Sequence, residues 1–544
     1  MQEQHKDFWP PGALIKHLTD KRDIPRRRPV ELRGEYEIHA LDISALKLNV
    51  GYFAPFIIPK RLSAHKTISA ANLEDLLPDL HEQVRESREP FVVLVVGGMI
   101  ENEAAIMQRF CNRSVAVISH HDIESIVNAP DQEAAWDALS NPLVRYLGRQ
   151  ALSPYRPGRP AFGGRFFGRL EALHRASAGG KLGGNFTIMG NRRIGKTSLL
   201  REIKARLLRD NARLKTADIY GNNFHSGYEV AKEMLEHLRP DLARRLPSEP
   251  HLIENLPAHI SFIPEKQNED VAVFIDELDH ILEFDAREDY RLLNLLRATF
   301  EHERCRIFFA GFRRVMEAKN RLDTPLYNFT QAIPLTSLTR NETFEMIAGP
   351  LSRLGIDVPP QLPEAIMHET SGHPELVQMF CSKVVEYHAA HGAAPVAGEL
   401  VAAIVDDDVF RQTVYTTFLK NTNPMEKLLC YALIGRASEN GGGVDRYQFT
   451  LRDCDEVMNE LGLPLSLADL DTLTENLRIG GVIGILAGTR SRAYRFAVPR
   501  LAEYCLADDL EFTIRKAKED LVTTPGPISL LMEPDRASYT ADEP

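Results

Sequence analysis

Residues 190–198 read GNRRIGKTS, a complete G-x-x-x-x-G-K-[ST] loop, and no other stretch restricts the fold as tightly. Such a loop holds a polyphosphate. Gly190 and Gly195 let the backbone curl so that successive N–H groups face phosphate oxygens, with Asn191, Arg192, Arg193, Ile194 and Ser198 completing the cradle. Lys196 brings a point charge to the β and γ phosphates, and the Thr197 hydroxyl is placed to ligate Mg2+. The flanks suit this geometry. Residues 185–189 are a short apolar run of strand type, and 198–203 have helical spacing, so the phosphates would sit at a helix N-terminus.

A second segment supports the first. Residues 271–275, Val-Ala-Val-Phe-Ile, form the continuous apolar run of a strand buried on both faces of a parallel sheet. Asp276 stands at its end, where a carboxylate can hold magnesium through water. Glu277 is then placed to orient and polarise the attacking water, as a general base. An adjacent Asp-Glu pair favours ATP hydrolysis over a regulatory GTPase, and the chain carries no Asn-Lys-x-Asp guanine reader.

The expected fold class is α/β, a doubly wound parallel sheet of the ASCE P-loop type, with strands at 185–189, 216–220, 271–275, 306–310 and 332–335. The 306–310 strand would lie between the phosphate-loop strand and the Asp276 strand. Its tip, followed by Arg313 and Arg314, should then reach the γ-phosphate, where an arginine could sense hydrolysis or stabilise developing charge. The alternative, that both arginines face solvent, stays open on the sequence.

At 544 residues the chain exceeds one core, so several domains are expected. Residues 1–34 read as a flexible basic lead and 35–150 as a small α/β domain. A Pro/Gly/Arg-rich linker at 151–169 precedes the ATPase core at 170–336. A helical lid at 337–420, a winged helix at 421–516 and a disordered tail at 517–544 complete the order. In the small domain, strands are expected at 36–43, 52–58, 91–96 and 114–119, and helices at 72–88 and 101–110. Asp42 and Lys60 suggest a metal-dependent nuclease, but Ile58 occupies the place of the second acid, and one carboxylate holds magnesium poorly.

The formal net charge of −11 argues against a chain-wide nucleic-acid surface. No apolar run approaches the ~20 residues needed to span a bilayer, and MQEQHKDFWPPG lacks the basic start and apolar core of a signal peptide. Cys111, Cys305, Cys381, Cys430, Cys454 and Cys505 show no metal spacing and read as thiols of a reducing cytoplasm.

With these pieces placed, residues 155–510 resemble the STAND-type ATPases, in the group typified by archaeal ATPases, near the Orc/Cdc6 branch of AAA+. The resemblance rests on FFGR (166–169), GNRRIGKTSLL (190–200), FIDELD (274–279), FFAGFRR (308–314), IPLTSLTRNET (333–343), ETSGHPELVQ (369–378) and YRFAVPRLAEY (494–504). It implies that Phe167 and Gly168 border an adenine, that Pro374 contacts it, and that Arg313 or Arg314 acts as sensor or finger. Where the family usually has Gly-Arg-Glu, this chain has Gly168-Arg169-Leu170-Glu171.

The resemblance implies an ATP- and Mg2+-dependent switch of slow turnover that cycles between a closed ADP form and an open ATP form, with a protein partner or self-association as its output. Two alternatives stay open: a DNA-acting ATPase, and a nucleotide-binding scaffold without catalysis. For DNA, the contacts would come from the wing arginines Arg490, Arg492 and Arg495 or from the basic lead. The would-be recognition helix, 466–479, opposes this with Asp469, Asp471 and Glu475 against Arg478.

Overall fold

The computed structural model describes residues 11–22, 24, 31–33, 36–50, 53–59, 67–68, 93–96, 99–100, 115–181, 184–243, 252–392, 397–420, 422–441, 443–486 and 492–523. Contacts group the chain into two compact units. One comprises Met1–Gly168, Arg340–Ala365 and Val377–Ile404; the other comprises Arg169–Thr339, Ile366–Leu376 and Val405–Pro544.

In the first unit five strands lie side by side in chain order: Glu31–Arg33, Tyr36–Asp42, Phe53–Pro59, Val93–Val96 and Val115–Ile118. The first two pairings are antiparallel and the last two parallel. Connection length explains the change, since short links permit a hairpin whereas parallel neighbours need a crossover of a dozen residues or more. The helices expected at 72–88 and 101–110 lie outside the described residues. So does Lys60, but the register bears on the nuclease reading. Asp42 pairs with Phe53, whereas Ile58 pairs with Glu37 at the other end of the hairpin. Asp42 accepts hydrogen bonds from the amide and hydroxyl of Ser44, at 3.0 and 2.6 Å, and so closes a local turn.

Helix Arg340–Arg353, expected as part of a separate lid, packs within this same unit. Its last residue, Arg353, is buried and donates to the carbonyls of Ala45 and Leu46, at 3.2 and 3.0 Å, while also meeting Glu133. The buried Tyr155 hydroxyl donates to Met346 at 2.9 Å, and Arg149 Nε to Leu354 at 2.7 Å. These are bonds to backbone carbonyls of low accessibility, which water cannot easily replace.

The second unit is built on a five-stranded parallel sheet. Its strands are β1 (Phe186–Met189), β2 (Leu214–Tyr220), β3 (Asp270–Asp276), β4 (Cys305–Gly311) and β5 (Gln331–Pro334), arranged β5-β1-β4-β3-β2. Strand β4 therefore separates the phosphate-loop strand from the Asp276 strand, as expected. Every residue of β4 is buried, and Phe308 stacks between Phe186 and Phe274 at 5.9 and 4.9 Å. Helices α1 (Lys196–Asp210), α2 (Leu278–Asp285) and α3 (Arg313–Asn320) begin at the carboxyl ends of β1, β3 and β4.

Beyond the sheet, α4 (Asp408–Phe418) leads to a C-terminal module. Its elements run α5 (Pro424–Glu439), β6 (Gln448–Thr450), α6 (Leu451–Glu460), α7 (Leu467–Ile479), β7 (Ile483–Ile485) and β8 (Ala493–Phe496). The three strands pair antiparallel in the order β6-β8-β7. Strand β6 is too short to leave a periodic signal. Helix α8 (Leu510–Thr523) continues past residue 517, where a tail was expected to begin. Among the described residues no helix is long and apolar enough to cross a membrane.

Arg353→Ala should destabilise the first unit by about 3 kcal/mol, because buried carbonyls lose a charged donor. Arg353→Lys should recover only part of the loss, since one ammonium cannot span acceptors that the guanidinium fork spans. Urea unfolding followed by near-UV circular dichroism measures both, and wild-type midpoints for the two variants would contradict this assignment.

Candidate functional site

The phosphate loop takes the conformation its sequence requires. A Cβ on Gly190 would fall 2.8 Å from the Leu335 carbonyl oxygen and 2.9 Å from Ile194, so only glycine fits there. Gly195 has φ near +102°, which glycine adopts without strain. Arg193 is left-handed at φ 57°, and its guanidinium meets Glu375 at 3.5 Å. Helix α1 starts at Lys196, so its free N–H groups face the loop.

The side chains of the two motifs converge. Lys196 is buried, and its Nζ donates to the carbonyls of Gly190 and Asn191, at 3.1 Å each. The Thr197 hydroxyl donates to Asp276 Oδ2 at 2.5 Å, across 79 residues of sequence. A hydroxyl and a carboxylate meeting in this way make a fitting donor set for Mg2+, which favours a few hard oxygen ligands and keeps several waters. Burial, and then the charge of Glu277, hold the Asp276 carboxyl above the usual carboxylate range, against the opposing pull of Thr197 and Lys196. A divalent cation there would favour the ionised form. Glu277 is exposed and left-handed at φ 52°, so its side chain leaves the strand end toward solvent. Its backbone is fixed from behind. A Cβ on Gly221 would lie 2.3 Å from the Glu277 carbonyl oxygen, so this glycine, which no motif marks, allows β2 and β3 to end together.

The two arginines after β4 part company. Asp279 is buried and accepts from the amides of Phe312, Arg314 and Val315, at 2.7, 2.9 and 3.3 Å. A residue of the acidic strand-end segment thus caps α3 and aims its first residue. Arg313 points into the protein, at 6% exposure, and forms a two-pronged ion pair with Glu426 at 2.7 and 2.6 Å; Glu426 is 0% exposed. Arg314 lies at the surface, 3.9 Å from Glu283.

Asn191, at 3% exposure, also makes a long-range contact from the loop. Its amide nitrogen donates to the Gly480 carbonyl at the end of α7 and, at 3.4 Å, to the Thr417 carbonyl in α4. Its Oδ1 accepts from the Arg192 amide at 2.7 Å, so the side chain occupies a loop N–H of the kind that phosphates use.

Of the residues assigned to the adenine side, Pro374 opens its helix after the buried turn Gly372-His373, and Leu338 donates to the Gly372 carbonyl at 2.9 Å. Arg169 reaches the carbonyls of Ile194 and Thr336. Phe167 and Gly168 belong to the first unit, where Phe167 is buried and Lys47 Nζ lies 5.3 Å from its ring. Glu426 and Gly480 were not foreseen, although Asn423 through Glu426 reads as a capping box before a hydrophobic run.

No curated protein matches this chain. Among solved structures it is similar to the ORC2 protein of Aeropyrum pernix in ADPNP-ADP complexes, at 15% identity over 68% of this chain and 97% of that one, with a TM-score of 0.47. A Walker-type ATPase of Pyrococcus abyssi is similar at 17% identity over 64% and 99%, with a TM-score of 0.46. The Aeropyrum pernix ORC1 protein in complex with DNA follows at 16% over 64% and 94%, with a TM-score of 0.35. The family profile described as Novel STAND NTPase 1 matches residues 150–387, the stretch that holds the phosphate loop, Asp276, Glu277 and the Gly372-His373-Pro374 turn. Residues 150–387 therefore carry a P-loop NTPase domain of the STAND family.

Proposed function

We propose that this protein is a Mg2+-dependent ATPase of slow turnover that works as a nucleotide-controlled switch, with the C-terminal module, read as a winged helix, docked on the phosphate loop in the arrangement described above. The observation that carries this reading is the buried Arg313–Glu426 pair. It ties the first residue of α3, just past the end of β4, to the first turn of the C-terminal module. A bound γ-phosphate would compete for the same guanidinium. Asn191 supplies a parallel link, since a phosphate that took the Arg192 amide would displace the Asn191 side chain from it and loosen the hold on Gly480. Hydrolysis would then use Glu277 to orient water, with Thr197 and Asp276 holding the metal and Lys196 the β and γ phosphates. The first unit is the candidate effector or sensor.

The DNA-acting alternative is opposed by a specific contact. Arg492 of the wing donates to Asp471 and Glu475 of α7, at 3.2 and 2.7 Å, so its charge is spent within the module. Arg478 also pairs with Glu475. A groove of about 440 Å3 between α3 and α7 is lined by Asp471 and Glu475 together with Arg321, so the acidic face of α7 borders the ATPase core. Arg490 lies outside the described residues.

Lys196→Ala should abolish ATP and ADP affinity, and Glu277→Gln should bind both while losing hydrolysis. Calorimetry and phosphate release measure these effects, and wild-type rates in both variants would reject the catalytic assignment. Glu426→Ala strands a buried guanidinium, at a cost of about 3–5 kcal/mol to docking of the C-terminal module. It should raise proteolytic cleavage within residues 419–423 and make that cleavage insensitive to ATP analogues. If protection by ADP and exposure by an ATP analogue were the same in wild type and Glu426→Ala, the pair would not be the latch.

A further inference from the structure

Among the described residues, three buried side-chain polar atoms without a direct side-chain hydrogen bond gather where the phosphate loop meets α4. Two are the ring nitrogens of His373, a residue only 1% exposed whose ring has a weak hydrogen bond with the Arg192 backbone. The third is Oγ1 of Thr417, the residue whose carbonyl accepts from Asn191. A buried polar group without a partner is costly, and in a folded protein it marks a ligand or a function.

The surroundings of His373 say what such a ligand would be. Its ring meets Phe418 edge-on at 5.2 Å and 73°. Phe418 in turn lies against Gly481, where a Cβ would stand 3.5 Å from the Phe418 ring and 3.9 Å from the Asn191 amide nitrogen. One ring therefore touches the lid turn, α4 and the turn after α7, all beside the second residue of the phosphate loop. The charged groups that bear on His373 are cationic. Desolvation first, then Arg169 and Arg193, push it down to about 3, with the Arg192 backbone opposing in part. Glu375, on the same helix, is engaged by Arg193. A neutral imidazole flanked by two guanidinium groups suits an anion: the ligand satisfies the cations and accepts the ring N–H.

We infer that His373 is a nucleotide contact, its ring donating a hydrogen bond to a phosphate oxygen of the nucleoside di- or triphosphate held by residues 190–198. The Pro374 position is assigned to the adenine by family resemblance; this places the preceding side chain on the phosphates instead. The inference rests on the nucleotide-binding reading above. It gives the Gly372-His373-Pro374 turn a second role, in which phosphate binding is felt by Phe418 and through it by the C-terminal module.

Calorimetry with ADP, AMP and adenosine tests it on the full-length protein. His373→Leu keeps an apolar group against Phe418 and should weaken ADP about tenfold, the scale of one charge-assisted hydrogen bond, while leaving adenosine unchanged. His373→Gln, which retains a donor, should restore most of the affinity. Wild-type ADP affinity in His373→Leu would overturn the inference, as would an equal loss for adenosine. Should His373→Leu not fold, the ring 15N resonances of His373 in the wild type decide: no shift on saturation with ADP rejects the contact. Failure of wild-type protein to bind ADP at all would instead remove the nucleotide reading beneath it, which Lys196→Ala reports independently.

Discussion

A guanidinium and a carboxylate, both out of water, constrain this structure more than any other contact. Arg313 and Glu426 can share a dry environment only while each satisfies the other, because desolvating either ion alone costs far more than their mutual attraction returns. Glu426 is held still further, since its carboxylate also accepts from the amide and side chain of Asn423 at 3.0 Å each. The same side chain thus ends one helix cap and fixes the position of the whole C-terminal module against α3. Such a pair adds little net stability compared with apolar packing. Its effect is on register: once formed it allows one arrangement, and once disturbed it favours none. Asp279 completes the device by capping α3 from the acidic strand end, so the segment that would hold metal and water also orients the guanidinium.

The sheet and the phosphate grip were legible because their signals are local. Glycines at fixed offsets, an apolar run ending in Asp276-Glu277, and a strand buried on both faces each lie within a few residues, and together they place the 306–310 strand between the phosphate-loop strand and the Asp276 strand. What connects distant segments left no such trace. Glu426 reads as a helix cap, and nothing near it indicates that the carboxylate also faces Arg313, 113 positions earlier. Gly221 looks like an ordinary turn glycine until the Glu277 backbone is placed against it. Arg313 and Arg314 are interchangeable in sequence, and only the Asp279 cap separates a buried ligand of Glu426 from a surface arginine. Asn191 occupies a loop position where any residue supplies the backbone N–H, so the use of its side chain is visible only in three dimensions.

The grouping of helices was the least accessible from sequence. Helix Arg340–Arg353 follows the core directly in the chain, and its helical run reads as the start of a separate lid. Its Arg353 and the backbone of Met346 and Leu354 instead bond to residues from the first third of the chain. Helix Pro374–His391 divides between units, its first turn going with the core and the remainder with the first unit.

Energetics limit how a switch of this design can work. Moving a two-state equilibrium from 1:99 to 99:1 takes about 5.5 kcal/mol of differential binding. A phosphate gripped equally in both arrangements contributes nothing to that difference, however tightly it is held. The backbone cradle and Lys196 are common to any P-loop and so cannot by themselves select an arrangement. On the proposed reading the selective group is the one whose partner would differ with nucleotide: Arg313, which would serve either Glu426 or a γ-phosphate. Exchange of its two charge-assisted hydrogen bonds, each worth about 1.5–3 kcal/mol, is on that scale. On that reading a γ-phosphate acting on Arg313 would do what ADP cannot, because of where β4 ends.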